Sequence, residues 1–227
     1  MVSKWARIAR GVDMMLIKPS FKVEDFYMDS RGLEKIGRVC YKSEDKITKV
    51  SAKAFINARL SAHESVIEHS ALTVRFICDR GVSHELVRHR LCAFSQESTR
   101  YCNYKGGVTF IIPPWVDINA GMYSFLSVEG KITRPEWTWY KSMLESERDY
   151  KDLLEKNWTP QQARSILPNS TKTEIVVTAN FREWRHIFKL RCDKAAHPQM
   201  RELMIPLLYE IKCIIPVIFD DLMVGES

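Results

Sequence analysis

The stretch Arg88-His89-Arg90-Leu91-Cys92-Ala93-Phe94-Ser95-Gln96-Glu97-Ser98-Thr99-Arg100-Tyr101 gathers the groups best suited to chemistry. Three cationic or near-cationic side chains lead into hydroxyls, an amide and a further guanidinium. From Ser95 to Arg100 these donors are close enough in sequence to hold a phosphate by forked hydrogen bonds. On a helix, residues step by about 100°, so Arg88 and Arg90 would point about 200° apart. They would then serve two ligands, or one ligand and a subunit contact. A solvated basic helix running into a loop would have the same composition.

A second cluster, His63-Glu64-Ser65-Val66-Ile67-Glu68-His69, invites a metal reading. A metalloprotease helix carries its histidines at i and i+4 on one face. A spacing of six turns them about 240° apart on a helix, and Ser65 breaks the inverted form of the motif, so no metal is expected. The cysteines, Cys40, Cys78, Cys92, Cys102, Cys192 and Cys213, include no CxxC pair. They read as free thiols and not as a disulfide scaffold or zinc ribbon. Cys92 and Cys102 lie beside cations that could lower a thiol pKa. A cysteine nucleophile is therefore one rival reading, against Cys92 as a small apolar filler on the inner side of a helix.

Composition narrows the class. The chain has 227 residues, enough for one sizeable core, and no Gly/Ser linker or repeat divides it. A single domain over 1–227 is expected. The longest apolar run, Cys213 to Phe219, is broken by Pro216 and falls well short of the roughly 20 residues that span a bilayer. The start, Met1 to Arg10, is basic but no apolar core follows, so no secretion signal and a cytoplasmic location are expected. The charge of +6, from 34 basic and 28 acidic residues, suits anionic ligands such as nucleotides. A nucleic-acid-binding module is the other rival. Scattered aromatics and the lack of a continuous basic stripe speak against it.

The elements that must position these groups are mixed. Met14 to Ile17 reads as a short strand ended by Pro19. Val23 to Tyr41 contains a helix, and Val50 to Leu60 has helical spacing. Leu72 to Cys78 alternates as a strand does. Ser83 is placed to cap a helix running through Arg90. Val108 to Ile112 is a strand stopped by two prolines. Thr133, with Pro135 in the first turn and Glu136 in the capping-box position, opens the longest helix, to about Lys156. Thr159-Pro160-Gln161-Gln162 repeats that logic. Thr173 to Ala179 reads as a strand; Phe181 to Arg191 and Gln199 to Cys213 read as helices, Pro206 kinking or splitting the second. The class is α+β: one small β-sheet packed by several helices.

The pattern RHRx7S, complete from Arg88 to Ser98 with Arg100-Tyr101 behind it, resembles the signature of the flavin-dependent thymidylate synthases. Three further matches follow the same order: His63 to His69 resembles H-E-[ST]-x-x-E-H, Ala163-Arg164-Ser165-Ile166-Leu167-Pro168 resembles A-R-x-x-L-P, and Leu190-Arg191 with His197-Pro198-Gln199 resembles L-R…H-x-Q. The resemblance implies reductive methylation of dUMP to dTMP, with FAD as cofactor, 5,10-methylenetetrahydrofolate as one-carbon donor and NADPH or NADH as reductant. It implies a flavin fold of the family's own; no GxGxxG is present, so a Rossmann site is not expected. It implies a homotetramer with active sites shared between subunits, and neither nucleic acid nor membrane as partner. The dUMP contacts map onto Glu85, Leu86, Val87, Arg88, Gln96, Glu97, Ser98, Thr99, Arg100, Arg164 and Arg191. The FAD contacts map onto His63, Ser65, Arg88, His89, Arg90, Gln96, Asn180, Phe181, Arg182 and His186. Arg191 takes the catalytic position, stabilising charge on the pyrimidine without a covalent bond. Read without the resemblance, it is a cation at a helix C-terminus. Ser98 is cast as a substrate binder; an activated serine would need an adjacent base. Glu85 stands where some members carry Gln and can order Arg88, its neighbour at i+3.

Overall fold

A computed structural model of the chain describes residues 14–60, 63–124, 128 and 132–225. The basic start, Met1 to Arg10, lies outside them. The described residues form two compact units, one drawn from 14–20, 77–85 and 96–175, the other from 21–76, 86–95 and 176–225.

In the first unit Met14 and Leu16 alternate with half-buried neighbours, and β1 (Met14–Ile17) forms as their pattern requires. It pairs in parallel with β5 (Thr109–Ile111) in the register Met15 with Thr109. On its other side it pairs antiparallel with β6 (Gly121–Tyr123). The long helix α4 (Arg134–Glu155) starts where expected: the Thr133–Glu136 capping box and Pro135 in the first turn satisfy its free amides. Its buried face, Tyr140, Met143, Leu144, Glu147 and Tyr150, recurs at helical spacing. Tyr140, Tyr150, Met14, Leu16 and Phe110 are fully buried in one cluster, each apolar side chain stabilising by about 1.5–3 kcal/mol. Glu147 is buried among them, accepting from the Val108 amide at 3.0 Å and pairing with Lys151 at 2.9 Å. It is a carboxylate that sequence spacing alone would have placed as apolar. α5 (Pro160–Ala163) follows, with its own Thr159–Gln162 box.

The second unit is helical around strand segments. β2 (Ser20–Tyr27), α1 (Ser30–Val39) and α2 (Ser51–Leu60) precede a 3-10 turn at Glu64–His69 and β3 (Ala71–Asp79). α6 (Phe181–Arg191), α7 (Pro198–Ile214) and the short α8 (Pro216–Phe219) complete it. Trp184, Phe181, Phe188 and Phe219 are fully buried and form a chain of ring contacts 5.6–5.9 Å apart. Trp184 Nε1 donates to the Leu72 carbonyl at 2.9 Å, so even the indole N–H is satisfied. Arg185, 3% exposed, is held by both oxygens of Asp221 at 2.6 and 2.7 Å, by Glu64 at 3.3 Å and by the Ile218 carbonyl.

A four-stranded sheet has the order β2-β3-β7-β4, where β7 is Lys172–Ala179 and β4 is Ala93–Gln96. The α+β class holds, with two sheets where one was expected. β2, β4 and β6 were not anticipated. β2 is mostly exposed and lacks a clean alternation, while β4 and β6 are too short to show one. The helix assigned to Ser83 through Arg90 is displaced: α3 is Arg80–Leu86. Asp79 accepts from the Val82 amide at 2.7 Å and does the capping, whereas Ser83 donates to the Arg80 carbonyl. Pro206 lies inside α7 without splitting it.

Candidate active site

Because α3 ends at Leu86, the Arg88-His89-Arg90 segment is a turn and not a helix. The His89 amide donates to the Leu86 carbonyl and the Cys92 amide to the His89 carbonyl, both at 3.1 Å. The turn sends His89 inward (6% exposed) and leaves Arg88 and Arg90 exposed. Both cations thus face water through turn geometry, not through the opposed helical faces expected.

His89 meets groups brought to it by α6. Arg191 Nε donates to His89 Nε2 at 3.0 Å. On the other side of the ring, Nδ1 lies 3.6 Å from Glu183 Oε1. The His186 ring stands nearly perpendicular, its centroid 6.0 Å away. Burial, and then the charge of Arg191, push the His89 pKa down to about 4. The imidazole is therefore neutral near pH 7. Nε2 accepts, and the proton sits on Nδ1 facing Glu183. Glu183 is itself 7% exposed. Asn180 caps α6 by accepting from the Glu183 amide at 2.9 Å, which fixes the helix start. Glu183 and His186 then follow on one face at i+3 spacing.

His89, Glu183 and His186 offer ligand atoms within 4.8 Å of one another. This group was not anticipated, because the sequence carries its members 94 residues apart. Arg191 already occupies Nε2 of the imidazole, so a cation there would face a guanidinium. The His63 to His69 segment is a 3-10 turn whose histidines are both exposed.

α6 also lines a cleft of about 550 Å³ with Asn180, Arg182, His186 and Lys189, opposite the exposed Leu91. Arg182 reaches Glu68 at 2.5 Å and Glu64 at 3.6 Å, which raises its pKa. Phe181 is fully buried against Phe219 and Leu86 is 1% exposed. Their side chains belong to the core and leave only backbone for a ligand.

In the first unit the Ser98 to Arg100 segment is a turn closed by Tyr101 and Cys102 amides on the Ser98 carbonyl. Ser98 Oγ accepts from the Arg100 amide at 3.3 Å. Arg164 Nη1 donates to Thr99 Oγ1 at 3.3 Å, so two matched segments 65 residues apart meet. Arg100 and Arg164 are exposed. Gln96 turns its amide nitrogen to Ser83 at 2.9 Å and Thr173 at 3.2 Å. Glu97 spends both carboxylate oxygens on Tyr104 at 2.7 Å and Lys172 at 2.8 Å. The Tyr104 phenol is pushed up, by burial and then by that bond. Gln96 and Glu97 therefore brace the turn more than they face a ligand.

The Cys92 thiol is set against nucleophilic chemistry. Cys92 is half-buried, outside any helix, and burial pushes its pKa up to about 12, the reverse of an activated cysteine.

A family profile described as "Thymidylate synthase complementing protein" matches residues 24–217. A flavin-dependent thymidylate synthase of Mycobacterium sp. (strain JLS) is 31% identical over 199 residues, covering 83% of this chain and 78% of that protein. The chain belongs to the thymidylate synthase complementing protein family. Another relative, the flavin-dependent thymidylate synthase of Mycobacterium tuberculosis, is 32% identical over 195 residues with the same coverage, 83% and 78%. Membership bears out the resemblance drawn from the motifs, and with it the methyltransferase class. A UMP/dUMP methylase, PolB, from Streptomyces cacaoi, solved with 5-Br dUMP, shares the fold. It has a TM-score of 0.75 at 22% identity, covering 91% of this chain and 96% of that one. Its complex with 5-Br UMP gives 0.71 at 20% identity. Among the described residues, no helix is long and apolar enough to cross a membrane.

Proposed function

We propose that this chain is a flavin-dependent thymidylate synthase converting dUMP to dTMP. The cofactor is FAD, the one-carbon donor 5,10-methylenetetrahydrofolate and the reductant NADPH or NADH. Family membership and the names of the relatives support the reaction. One observation in the chain carries it: the hydrogen bond from Arg191 to a buried, neutral His89. Methylation at C5 of uracil needs charge on the ring to be stabilised where it develops. A guanidinium fixed by an uncharged acceptor keeps its full positive charge and a set direction, as electrostatic preorganisation requires.

The residues present fit a flavin. The cleft along α6 is within the usual size range of ligand pockets and combines an apolar side chain, Leu91, with amide, imidazole, guanidinium and ammonium groups and the carboxylates of Glu64, Glu68 and Glu183. Its donors suit the carbonyls of an isoalloxazine, and the exposed Arg88 and Arg90 suit a pyrophosphate. Such a flavin, when bound, supplies the hydride chemistry that completes the methyl group. His63, Ser65, Arg88, His89, Arg90, Asn180, Arg182 and His186 are assigned to hold it, His89 through Arg191 and through packing. Ser98, Thr99, Arg100 and Arg164 anchor the phosphate of dUMP. Arg191 polarises the pyrimidine and promotes ionisation at N3. Glu85, Leu86 and Val87 contribute backbone and, for Glu85, orientation of Arg88. The whole of 1–227 acts as one catalytic domain, a reading supported by the family match running through both units. The homotetramer implied by the resemblance builds each site from more than one subunit.

The test is reconstitution. Protein dialysed free of ligands and supplied with FAD should turn yellow. With dUMP, methylenetetrahydrofolate and NADPH it should form dTMP. Protein that takes up no flavin and makes no dTMP with every cosubstrate present refutes the proposal.

A further inference from the structure

The start of α6 carries a carboxylate that the proposed contacts leave unused. Asn180 caps the helix, so Glu183 stands at the third position of its first turn. In α4 and α5 the residue at that position, Glu136 or Gln162, turns back to accept from the amide of the cap residue. Among the described residues Glu183 closes no such box. Its Oε1 lies instead 3.6 Å from Nδ1 of His89. The nearest arginines in sequence are committed elsewhere. Arg182 pairs with Glu68 and Glu64, and Arg185 is held by Asp221, Glu64 and the Ile218 carbonyl. No lysine or arginine among the described residues pairs with Glu183, which is 7% exposed. The exposed His186 stands further off, within 4.8 Å. A helix start tolerates an acid, but that alone does not turn the acid toward an imidazole. A buried carboxylate is costly without a partner, and the partner here is the Nδ1 edge of His89.

The other edge of that ring is already committed. Arg191 donates to Nε2, so Nε2 must keep its lone pair and Nδ1 must carry the proton. The opposite tautomer would set an N–H against the Arg191 N–H and a lone pair against the carboxylate. Both contacts would repel, and the guanidinium would lose its anchor. A separation of 3.6 Å is longer than a hydrogen bond. Glu183 therefore orients the N–H by its charge, and contacts of this kind tighten when a site is filled. Carboxylates behind histidines set ring and tautomer in the same way where the far nitrogen has work to do. We propose that Glu183 is a positioning residue, holding His89 in the Nδ1–H tautomer and thereby aiming Arg191. That the aim serves a pyrimidine rests on the proposed function; the chain of contacts from Glu183 to Arg191 does not.

Two readouts on the full chain test this. The first is nitrogen NMR of isotope-labelled histidine in the protein as isolated, with His89 assigned by its absence in His89→Asn. Wild type should show Nδ1 protonated and Nε2 bare near neutral pH. Glu183→Gln keeps the volume but can present an N–H to Nδ1, and should move the proton toward Nε2. The second readout is steady-state dTMP formation. In Glu183→Gln and Glu183→Leu kcat should fall about fivefold to tenfold, with FAD uptake retained and KM for dUMP within about twofold. Glu183→Asp, which keeps a carboxylate, should recover part of kcat. If Glu183→Leu does not fold, the Gln and Asp variants and the wild-type spectrum carry the test. A merely structural role would leave Glu183→Gln with wild-type kcat and wild-type ring protonation, and that result overturns the inference. In protein that turns over, either readout moving without the other overturns it too. Protein that forms no dTMP, yet shows the ring proton move in Glu183→Gln, would end the proposed function and leave the positioning role standing. Normal dTMP formation with both readouts indifferent to Glu183 would do the reverse.

Discussion

The two units handle charge in opposite ways. In the first, Arg100 and Arg164 stay exposed; the turn that carries Arg100 is braced by Gln96 and Glu97, and Arg164 reaches it from the segment after α5. In the second, Arg191 is tied to a histidine that burial keeps neutral, with a buried carboxylate behind it. A phosphate is already charged before it binds, so solvated guanidiniums on a firm turn suffice to hold it. Charge on a pyrimidine ring exists only during the reaction. The group that stabilises it must be aimed beforehand, and aiming requires burial and partners. The contrast separates holding from activating.

That separation predicts a graded series of effects. The largest is Arg191→Ala, which should keep FAD and lose turnover by roughly 10²–10³, as removal of other oxyanion-type donors does; near-normal turnover in a flavin-loaded variant would erase the distinction. His89→Ala comes next. It removes one hydrogen bond to a charged group, so kcat should fall about 10-fold or somewhat more while KM for dUMP changes little. Partial recovery in His89→Asn, which restores an acceptor, would show that the ring positions Arg191. Ser98→Ala and Arg164→Ala should act in the other direction. Each should raise KM for dUMP by about tenfold and spare kcat, the pattern of lost uniform binding. A kcat collapse with intact dUMP binding would make Ser98 catalytic. The smallest effect is Cys92→Ala, for which dTMP formation should stay within about twofold, the thiol being too weak an acid to attack.

The same contrast has a pH signature. His89 has its pKa lowered from 6.5 to about 4 in the folded protein. The unfolded chain therefore binds this proton first as pH falls. The contribution to stability is complete above about pH 6.5 and is lost as pH falls toward 4. Thermal melts from pH 7 to 4 should show this decline, and it should be shallower in His89→Asn. An identical decline in the variant would remove His89 as its source.

How much of this was legible in the residues differs between the two units for a physical reason. The phosphate turn is contiguous, so its donors stand together in the sequence, and the caps at Thr133 and Thr159 were readable because a capping box is local. The displaced α3 shows the limit of local reading: Ser83 and Asp79 are both competent caps, and only the fold chose Asp79. Glu183 gave no signal. Its role depends on a turn 94 residues earlier sending His89 inward, and on Asn180 fixing which helical face follows. β2 escaped because most of its side chains face water.

Arg185 carries a consequence for anyone handling this protein. It sits on the same helix as Glu183, His186 and Arg191, and its two-oxygen partner, Asp221, comes from just beyond α8. Losing Asp221 would leave this buried guanidinium, one or two turns from the site, with Glu64 and the Ile218 carbonyl as its remaining partners. The short segment around α8 thus latches the working helix in place, through the Ile218 carbonyl and the Asp221 carboxylate.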